Sequence, residues 1–355
     1  MLILAAISCC TKPDTPVTEK PETETIPPTE EDEVEVTLSL EQTEIMIGKG
    51  DTFQLTATVT PEDTQLKWES SDTKKVLIDR NGNGKGIAFG EATITVTAGD
   101  KSATCLVKVM DKPKIGDFYY SDGTYMSTYD PSKEVIGIVF WTGDPTAEDP
   151  ALKMDHPECT NGLVVSIAGD RKGYSWQPNY EAYASTVGSW VEQNIEGFVS
   201  MTSPWGEDEN VNAIRGYNNT KAIEAFNAAP ENSQWPVDVV ANVLQYRIDN
   251  PTPESSSDWY LPSVKECTLL ISGETEGNVL DINGDVSVMA DINYKLSLVP
   301  GSNSLGRNGY EDDIWSSNER DDSYAFYVST LTGKVWMNWK LYGSDCHQVR
   351  YILAF

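Results

Sequence analysis

Few residues in this sequence could perform acid–base catalysis. The chain of 355 residues holds two histidines, His156 and His347, and the second directly follows Cys346. Adjacent residues of a strand point to opposite faces, so this thiol and imidazole are poorly placed to act as a nucleophile and its base. The motifs GxSxG and HExxH and a glycine-rich phosphate loop do not occur. We therefore predict that the protein is not an enzyme.

The acidic residues leave one enzymatic alternative open. A chain with 55 aspartates and glutamates must contain some close carboxylate pairs, and such a pair is what a glycosidase uses. The presence of carboxylates alone does not indicate this activity. An atypical glycan hydrolase is kept as an alternative.

Aromatic residues near the end of the chain indicate binding chemistry. In KVWMNWKLYGSD (334–345), strand alternation predicts a core-facing set and a solvent-facing set: Val335, Met337 and Trp339, and Trp336, Asn338 and Lys340. Trp336 and Asn338 should then lie on the wetter side, with Tyr342 in the following loop. Aromatic rings beside amides and carboxylates suit stacking on a sugar or anchoring a protein partner.

Two acidic segments have part of the pattern of a calcium-binding loop. DRNGNG (79–84) offers alternating oxygen donors, but Gly90 stands where an EF-hand loop places its bidentate glutamate. We predict a hairpin turn there. In DINGD (281–285), Val286 occupies the position at which the sharp turn requires glycine, and we predict an ordinary loop between helices. No cofactor is predicted, and calcium binding is left open.

The overall charge limits the possible partners. A net charge of -29 and a pI near 4.3 exclude nucleic acid, whose phosphates require clustered lysine and arginine. The same charge disfavours direct adsorption to anionic lipid. The partners that we predict are extracellular glycans or surface proteins of a host or of bacteria.

The first ten residues, MLILAAISCC, form a short apolar run that ends in small residues and cysteine. Its Ala-Ile-Ser-Cys end (6–9) resembles a bacterial lipobox, in which the cysteine is lipidated and becomes the new N-terminus. We predict that residues 1–9 are a lipoprotein signal remnant and that the lipid is attached to Cys9. This lipid would be the only membrane attachment and would hold the protein at the outer membrane, on the cell surface. A buried apolar N-terminal strand is the alternative.

Residues 10–34 are rich in proline, threonine and glutamate. Such a composition cannot bury enough apolar surface to offset the entropy lost on ordering. We predict a disordered, extended stalk whose acidic side chains repel one another.

Residues 35–111 change to a period of two, with short β-branched runs separated by glycine, aspartate, asparagine and proline. This spacing predicts an all-β antiparallel sandwich. The linked segments MIGKGDTFQLTATVTPED, LKWESSD and VLIDRNGNGKGIAFGEATITVTAG resemble the bacterial Ig-like domain of group 2. The resemblance implies a spacer or an adhesive module, and we expect Trp68 in its core.

Residues 113–355 form the second predicted domain, of α+β class, in which short strands and helices are segregated. Apolar spacing predicts helices over 184–199, 219–229 and 237–248. In SSSDWYLPSVKECTLL (255–270), we expect Pro262 in the first turn of a helix and a capping box formed by Ser263 and Glu266. Trp259 should pack in the core.

The same stretch belongs to a set of recognisable segments. WYLPSVKE, MADINYKLSLV, DIWSSNERDDSYAFYVSTLTG and VRYILAF resemble the C-terminal domain of the Fibrobacter major-paralogue and Legionella collagen-like adhesin group. This resemblance implies a C-type-lectin-like fold. Lectins of that fold use an EPN or QPD triplet and a later WND to bind calcium and sugar. Gln177-Pro178-Asn179 imitates the triplet far upstream of WYLPS, and Trp336-Met337-Asn338 only distantly matches WND, so this transfer fails.

The resemblance also predicts where a ligand binds. Folds of this type hold their variable loops beside the terminal hairpin, while Trp315 at the start of a strand should lie in the core. The predicted ligand-binding residues are Asp312, Asp313, Asn318, Trp336, Asn338 and Tyr342. The predicted function is that of a lipid-anchored adhesin, and a structural or accessory surface lipoprotein without a soluble ligand is the alternative. The pairing of Cys105, Cys159, Cys267 and Cys346, and the oligomeric state, stay open.

Overall fold

The computed structural model of the protein describes residues 36–169, 173–204, 210–273, 276–306, 313–342 and 347–355. The chain divides into two compact units, Met1–Val109 and Met110–Phe355, which we call the first and the second unit. Within the described ranges, no helix combines the length and the apolar character that a bilayer crossing requires.

The first unit is built of strands and is described from residue 36. The strands in chain order are β1 (Thr37–Leu40), β2 (Glu44–Gly48), β3 (Thr52–Gln54), β4 (Ala57–Thr60), β5 (Lys67–Ser70), β6 (Val76–Ile78), β7 (Asn83–Gly86), β8 (Gly90–Ala98) and β9 (Lys101–Met110). They form sheets of order β2-β9-β8-β5, β3-β7-β6 and β1-β4. The predicted all-β class of this unit is confirmed.

The period of two in the sequence corresponds to the two faces of β8 and β9. Ile94, Val96 and Ala98 of β8 are fully buried, and the residues between them are partly exposed. Cys105 and Val107 of β9 share this core. Trp68 packs against the same cluster while remaining partly exposed. An alternating sequence thus folds into a sheet with one dry face.

The second unit contains two sheets. Its strands are β10 (Phe118–Tyr120), β11 (Tyr125–Met126), β12 (Val135–Thr142), β13 (Gly162–Ser166), β14 (Asp313–Glu319), β15 (Tyr324–Val328), β16 (Val335–Trp339), β17 (His347–Gln348) and β18 (Ile352–Ala354). The first sheet has the order β11-β10-β12-β13-β18 and the second the order β16-β15-β14-β17. The pairings are antiparallel except for the parallel pair β14 and β17.

Helices lie between these strands in the chain. They are α1 (Pro150–Asp155), α2 (Tyr180–Tyr183), α3 (Val187–Asn194), α4 (Gly216–Ala228), α5 (Val243–Asp249), α6 (Val264–Ile271) and α7 (Ser287–Ser297). The helix predicted over 237–248 is wrong in its first half, which is the short 3-10 turn Asp238–Val240. The amide of Asp238 donates to the carbonyl of Trp176 (2.9 Å), a tertiary contact that hydrophobic spacing does not reveal.

The WYLPS segment begins helix α6. Ser263 is the N-cap, its hydroxyl accepts from the amide of Glu266, and the Glu266 carboxylate accepts from the Ser263 amide at 2.6 Å. The predicted capping box is confirmed, but Pro262 precedes the N-cap and is not in the first turn. Trp259 is buried, and its indole N–H donates to the carbonyl of Asn250 (2.9 Å). Trp259 therefore anchors the segment that leads into α6, a helix whose eight residues are all buried.

Candidate functional site

Strand β16 lies at one end of the strand order of its sheet and pairs with β15. The antiparallel register places Trp336 opposite Tyr327 and Trp339 opposite Tyr324. Trp336 is 49% exposed and Trp339 is 44% exposed. Three positions separate them along the strand, so the two side chains leave opposite faces of the sheet. This strand therefore presents an indole to solvent from each face.

On the sheet face that carries Trp336, His347 lies between two aromatic rings. The ring of His347 lies 4.3 Å from that of Tyr327 and 4.4 Å from that of Trp315, measured between centroids. The side-chain nitrogen of Asn338 is 3.1 Å from Nε2 of His347. Trp315 is fully buried, as predicted. Trp336 and Asn338 share one face, and Asn338 is half-buried against the histidine.

The other face carries a close, tilted aromatic pair, formed by Tyr324 and Trp339. Their ring centroids are 4.4 Å apart with an interplanar angle of 34°. The ring of Tyr180, which is buried, lies 6.3 Å from that of Trp339 at an interplanar angle of 35°. The guanidinium of Arg320 lies 5.5 Å from the Tyr324 centroid. A half-exposed indole on such a support offers a flat apolar platform with charged groups at its border.

A buried ion pair holds the end of this strand. Lys340 donates to Glu319 at 2.6 Å, and neither side chain is exposed. The other oxygen of Glu319 accepts from the amide of Gly188 and the hydroxyl of Thr202, both at 2.7 Å. The ammonium also lies 5.0 Å from the ring centroid of Trp176. Because every charge has a partner, the desolvation cost is offset and the turn after β16 is fixed.

The prediction for Trp339 and Lys340 is therefore wrong, since Trp339 is exposed and Lys340 is buried. Alternation assumes a continuing strand above a continuing core. Strand β16 ends at Trp339, and a turn follows in which the amide of Tyr342 donates to the carbonyl of Trp339 (2.8 Å). Tyr342 lies in this turn and is 64% exposed. In the sequence, Lys340 and Gly343 after Trp339 are typical of a turn, and this signal indicates that the strand ends near Trp339.

Two predicted ligand-binding residues occupy strand β14 and are buried, so the placement of both in exposed loops is wrong. Asp313 accepts from the amide of Thr330 at 3.3 Å. Asn318 accepts from the amide of Val264 (2.9 Å) and donates to the carbonyl of Met201 (3.3 Å). Both side chains satisfy backbone groups inside the unit.

Several further predictions fall outside the described residues. They are the ligand-binding Asp312, the lipidated Cys9, the signal remnant 1–9, the stalk 10–34 and the pairing of Cys346. Cys105, Cys159 and Cys267 are described and are buried free thiols, so they do not pair with one another.

The segments that imitate calcium loops use their oxygens locally. Asp79 accepts from the amide of Asn81 (2.8 Å) and from the amide and side chain of Asn83 (both 2.9 Å), which closes the predicted hairpin between β6 and β7. Asp285 accepts from the hydroxyl of Ser287 (2.6 Å) at the start of α7. In the QPN triplet, the buried side chain of Gln177 donates to the carbonyl of Trp235 (2.9 Å).

Two buried carboxylates have raised pKa values. Burial raises the pKa of Glu266 to about 7 and that of Asp149 to about 6. Glu266 accepts from the amide of Gly216 (3.0 Å), and Asp149 accepts from the amides of Asn218 and Leu152 (both 2.9 Å). Gly216 and Asn218 belong to the first turn of α4, so these carboxylates compensate its free N–H groups. Their environment is that of helix caps inside a core.

The chain is similar to fimbrial proteins of Bacteroides ovatus. It is 26% identical over 243 residues to the putative fimbrium tip subunit Fim1C, a match that covers 61% of this chain and 40% of that protein. A crystal structure of a fimbrial protein from the same species has the same fold at a TM-score of 0.55 and 17% identity, covering 90% of this chain and 70% of that one.

A shorter match connects the chain to an enzyme. A lacto-N-biosidase of Bifidobacterium bifidum is 39% identical over 74 residues, which is 20% of this chain but 7% of the enzyme. So small a share of the enzyme gives no ground for transferring its activity.

Residues 36–107 match the model of the bacterial Ig-like domain (group 2). The predicted family of this part of the chain is thereby confirmed, and residues 36–107 are a bacterial Ig-like domain of group 2.

Proposed function

We propose that this chain is a fimbrial or adhesin-like protein of the bacterial surface, whose second unit is a C-type-lectin-like head that binds an extracellular glycan or surface protein. The observation on which the proposal rests is the exposure of Trp336 and Trp339 on a strand held by buried contacts. An exposed tryptophan on a rigid support loses little conformational entropy when a ligand covers it. Tyr342 and Asn338 add hydrogen-bonding groups to this edge.

The similarity to a protein named as a putative fimbrium tip subunit supports this proposal. A subunit at the tip of a fimbrium is the part placed to meet a surface first. The bacterial Ig-like unit fits a spacer between an attachment point and a binding head. The chain spans 40% of the length of that relative, so the role of the whole relative is part of the proposal.

The proposal includes attachment through a lipid on Cys9, which would place the protein at the outer membrane. The lipobox-like segment and the acidic stalk that follows it support this attachment. Replacing Cys9 with alanine while keeping Cys10 should abolish labelling with palmitate and partition into detergent. Labelling that persists in this variant would show that Cys9 is not the modified residue.

The binding proposal is tested with the full chain on arrays of glycans and matrix proteins. For any ligand found, one of the variants Trp336→Ala and Trp339→Ala should weaken binding at least about tenfold, as expected when a central aromatic contact is removed. Because the two indoles leave opposite faces of the sheet, the variant that loses binding identifies the face that the ligand covers. Tyr294→Ala is the matched surface control, because Tyr294 is 65% exposed on helix α7. Equal binding by all variants would refute the aromatic site. A captured glycan that is cleaved would instead favour the hydrolase alternative.

Stability measurements separate binding from folding in these variants. Trp336→Ala should leave the unfolding free energy nearly unchanged, whereas Trp315→Ala should lower it by about 3–5 kcal/mol because its indole is fully buried. If Trp336→Ala unfolds the second unit while Trp315→Ala leaves it folded and unable to bind, the assignment of the two faces is reversed.

A further inference from the structure

Three side chains with metal-binding atoms meet in the turn after helix α1. They are His156, Glu158 and Cys159, and their donor atoms all lie within 4.8 Å of one another. Nδ1 of His156 is 3.9 Å from a carboxylate oxygen of Glu158. In a tetrahedral zinc site, bonds of about 2.0–2.3 Å place neighbouring donor atoms about 3.3–3.7 Å apart. Small side-chain rotations would bring the three atoms to that spacing.

Backbone hydrogen bonds hold the turn that carries these three side chains. The amide of His156 donates to the carbonyl of Leu152 (2.7 Å), which holds the histidine at the end of α1. The amide of Cys159 donates to the carbonyl of His156 (3.1 Å), which closes the turn. The ring of Tyr217 meets the imidazole edge-on at a centroid distance of 5.5 Å. This edge-on contact restricts the orientation of the imidazole.

The position of the turn gives the three donors different exposures. Cys159 is fully buried in the core of the second unit, His156 is half-buried and Glu158 is exposed. A metal between them would lie at the boundary of core and solvent, with three protein ligands and a fourth position facing water. A divalent ion bound by one thiolate, one carboxylate and one neutral imidazole has no net charge, so the cost of partial burial is small.

We propose that His156, Glu158 and Cys159 form a binding site for a divalent transition metal of the zinc class. Mixed sulfur, nitrogen and oxygen donors suit zinc, whereas calcium and magnesium prefer oxygen alone. Bound metal would link the end of α1 to the core beside strand β13. This site is separate from the edge strand β16 and does not depend on the proposed adhesin function.

Cobalt(II), as a spectroscopic substitute for zinc, is the probe that we choose. The full chain is used with Cys9→Ser and Cys10→Ser, which removes the two N-terminal thiols as competing ligands. Titration should give one equivalent of tetrahedral cobalt with a thiolate-to-cobalt charge-transfer band, and added zinc should abolish the band. Absence of the band at saturating cobalt would overturn the proposal.

Single substitutions assign the ligands. Cys159→Ser should remove the charge-transfer band, and His156→Ala should weaken cobalt binding at least about tenfold while the band stays detectable at high cobalt. Cys267→Ser is the matched control, because Cys267 is a buried thiol of the same core. A band that survives Cys159→Ser but disappears in Cys346→Ser would assign the metal elsewhere. If Cys159→Ser does not fold by circular dichroism, His156→Ala alone decides, and unchanged affinity in it refutes the site.

Discussion

The two units bury different kinds of side chain. In the first unit, no described residue with a buried side chain is polar or charged, and the core consists of residues such as Ile94, Val96 and Val107. The second unit buries carboxylates, two lysines and an arginine, including Glu266, Lys340 and Arg350. The first core is held by apolar contact alone. The second depends also on polar partners that must all be present together.

The two units should fold separately, and separating them should have the largest effect of the changes predicted. Residues 35–111 and 113–355, expressed apart, should each unfold in one cooperative transition, because each has its own core. Denaturant melts followed by circular dichroism would show this. If both fragments lack a cooperative transition, the division into autonomous domains is wrong.

Breaking the buried ion pair should produce the largest effect of a single substitution. Lys340→Met leaves Glu319 buried without its cation and should lower the unfolding free energy of the second unit by about 3–5 kcal/mol. Lys108→Met in the first unit is the matched control, because its pair with Glu44 (2.5 Å) is partly exposed and should contribute below about 1 kcal/mol. Equal losses in urea denaturation would remove the distinction between the units.

The pH dependence should also differ between the units. Burial raises the pKa of Glu266 from 4.5 to about 7, so the folded state holds its proton more tightly than the unfolded state. This contribution to stability is fully present below the unfolded value and is lost as pH rises towards 7. At about 1.4 kcal/mol per pKa unit, it amounts to at most about 3 kcal/mol.

Glu266→Gln should flatten this dependence between pH 4.5 and about 7 in melts of the second unit. The first unit should respond in the opposite direction and at lower pH. Hydrogen bonds from the side chain and amide of Asn83 lower the pKa of Asp79 below 3.8, so this contribution is lost only as acid protonates the folded state. If the unfolding free energy of Glu266→Gln depends on pH as that of the natural chain does, Glu266 is not the titrating group.

The smallest of these effects concerns the start of α6. Ser263→Ala removes the hydroxyl that caps the Glu266 amide and should lower the unfolding free energy by about 1–2 kcal/mol. Ser263→Thr keeps a hydroxyl and serves as its control. Thermal melts that rank alanine and threonine alike would mean that the capping bond contributes nothing.

The contrast between the units also explains what the sequence could predict. Strand periodicity located the first unit because its burial follows local alternation, as in β8. The capping box of α6 was predictable because its two residues lie three positions apart. Asn318 was placed wrongly because its partners, Met201 and Val264, are more than fifty residues away. Local patterns describe exposure only where burial depends on neighbouring residues of the same strand or helix.

Among the residues of the candidate site, the predictions that hold are also those that depend on local alternation within one strand. Trp336 lies on the predicted side of β16 because alternation still holds inside the strand. Trp339 and Lys340 exchanged their expected roles where the strand ends, since a buried carboxylate attracts the lysine and the core does not extend beneath the indole. The aromatic pair of Tyr324 and Trp339 depends on strand register, which one sequence does not specify.

The enclosure of helix α6 has a consequence for measurement. All eight of its residues are buried, and it packs against strands β12, β14 and β15 and helix α7. Its amide hydrogens can then exchange with deuterium only when the surrounding unit opens as a whole. Deuterium uptake by a peptide covering Val264–Ile271 therefore reports the global opening of the second unit without any attached label. A ligand or metal that binds the folded head will slow this uptake, even when its own site is far from the helix.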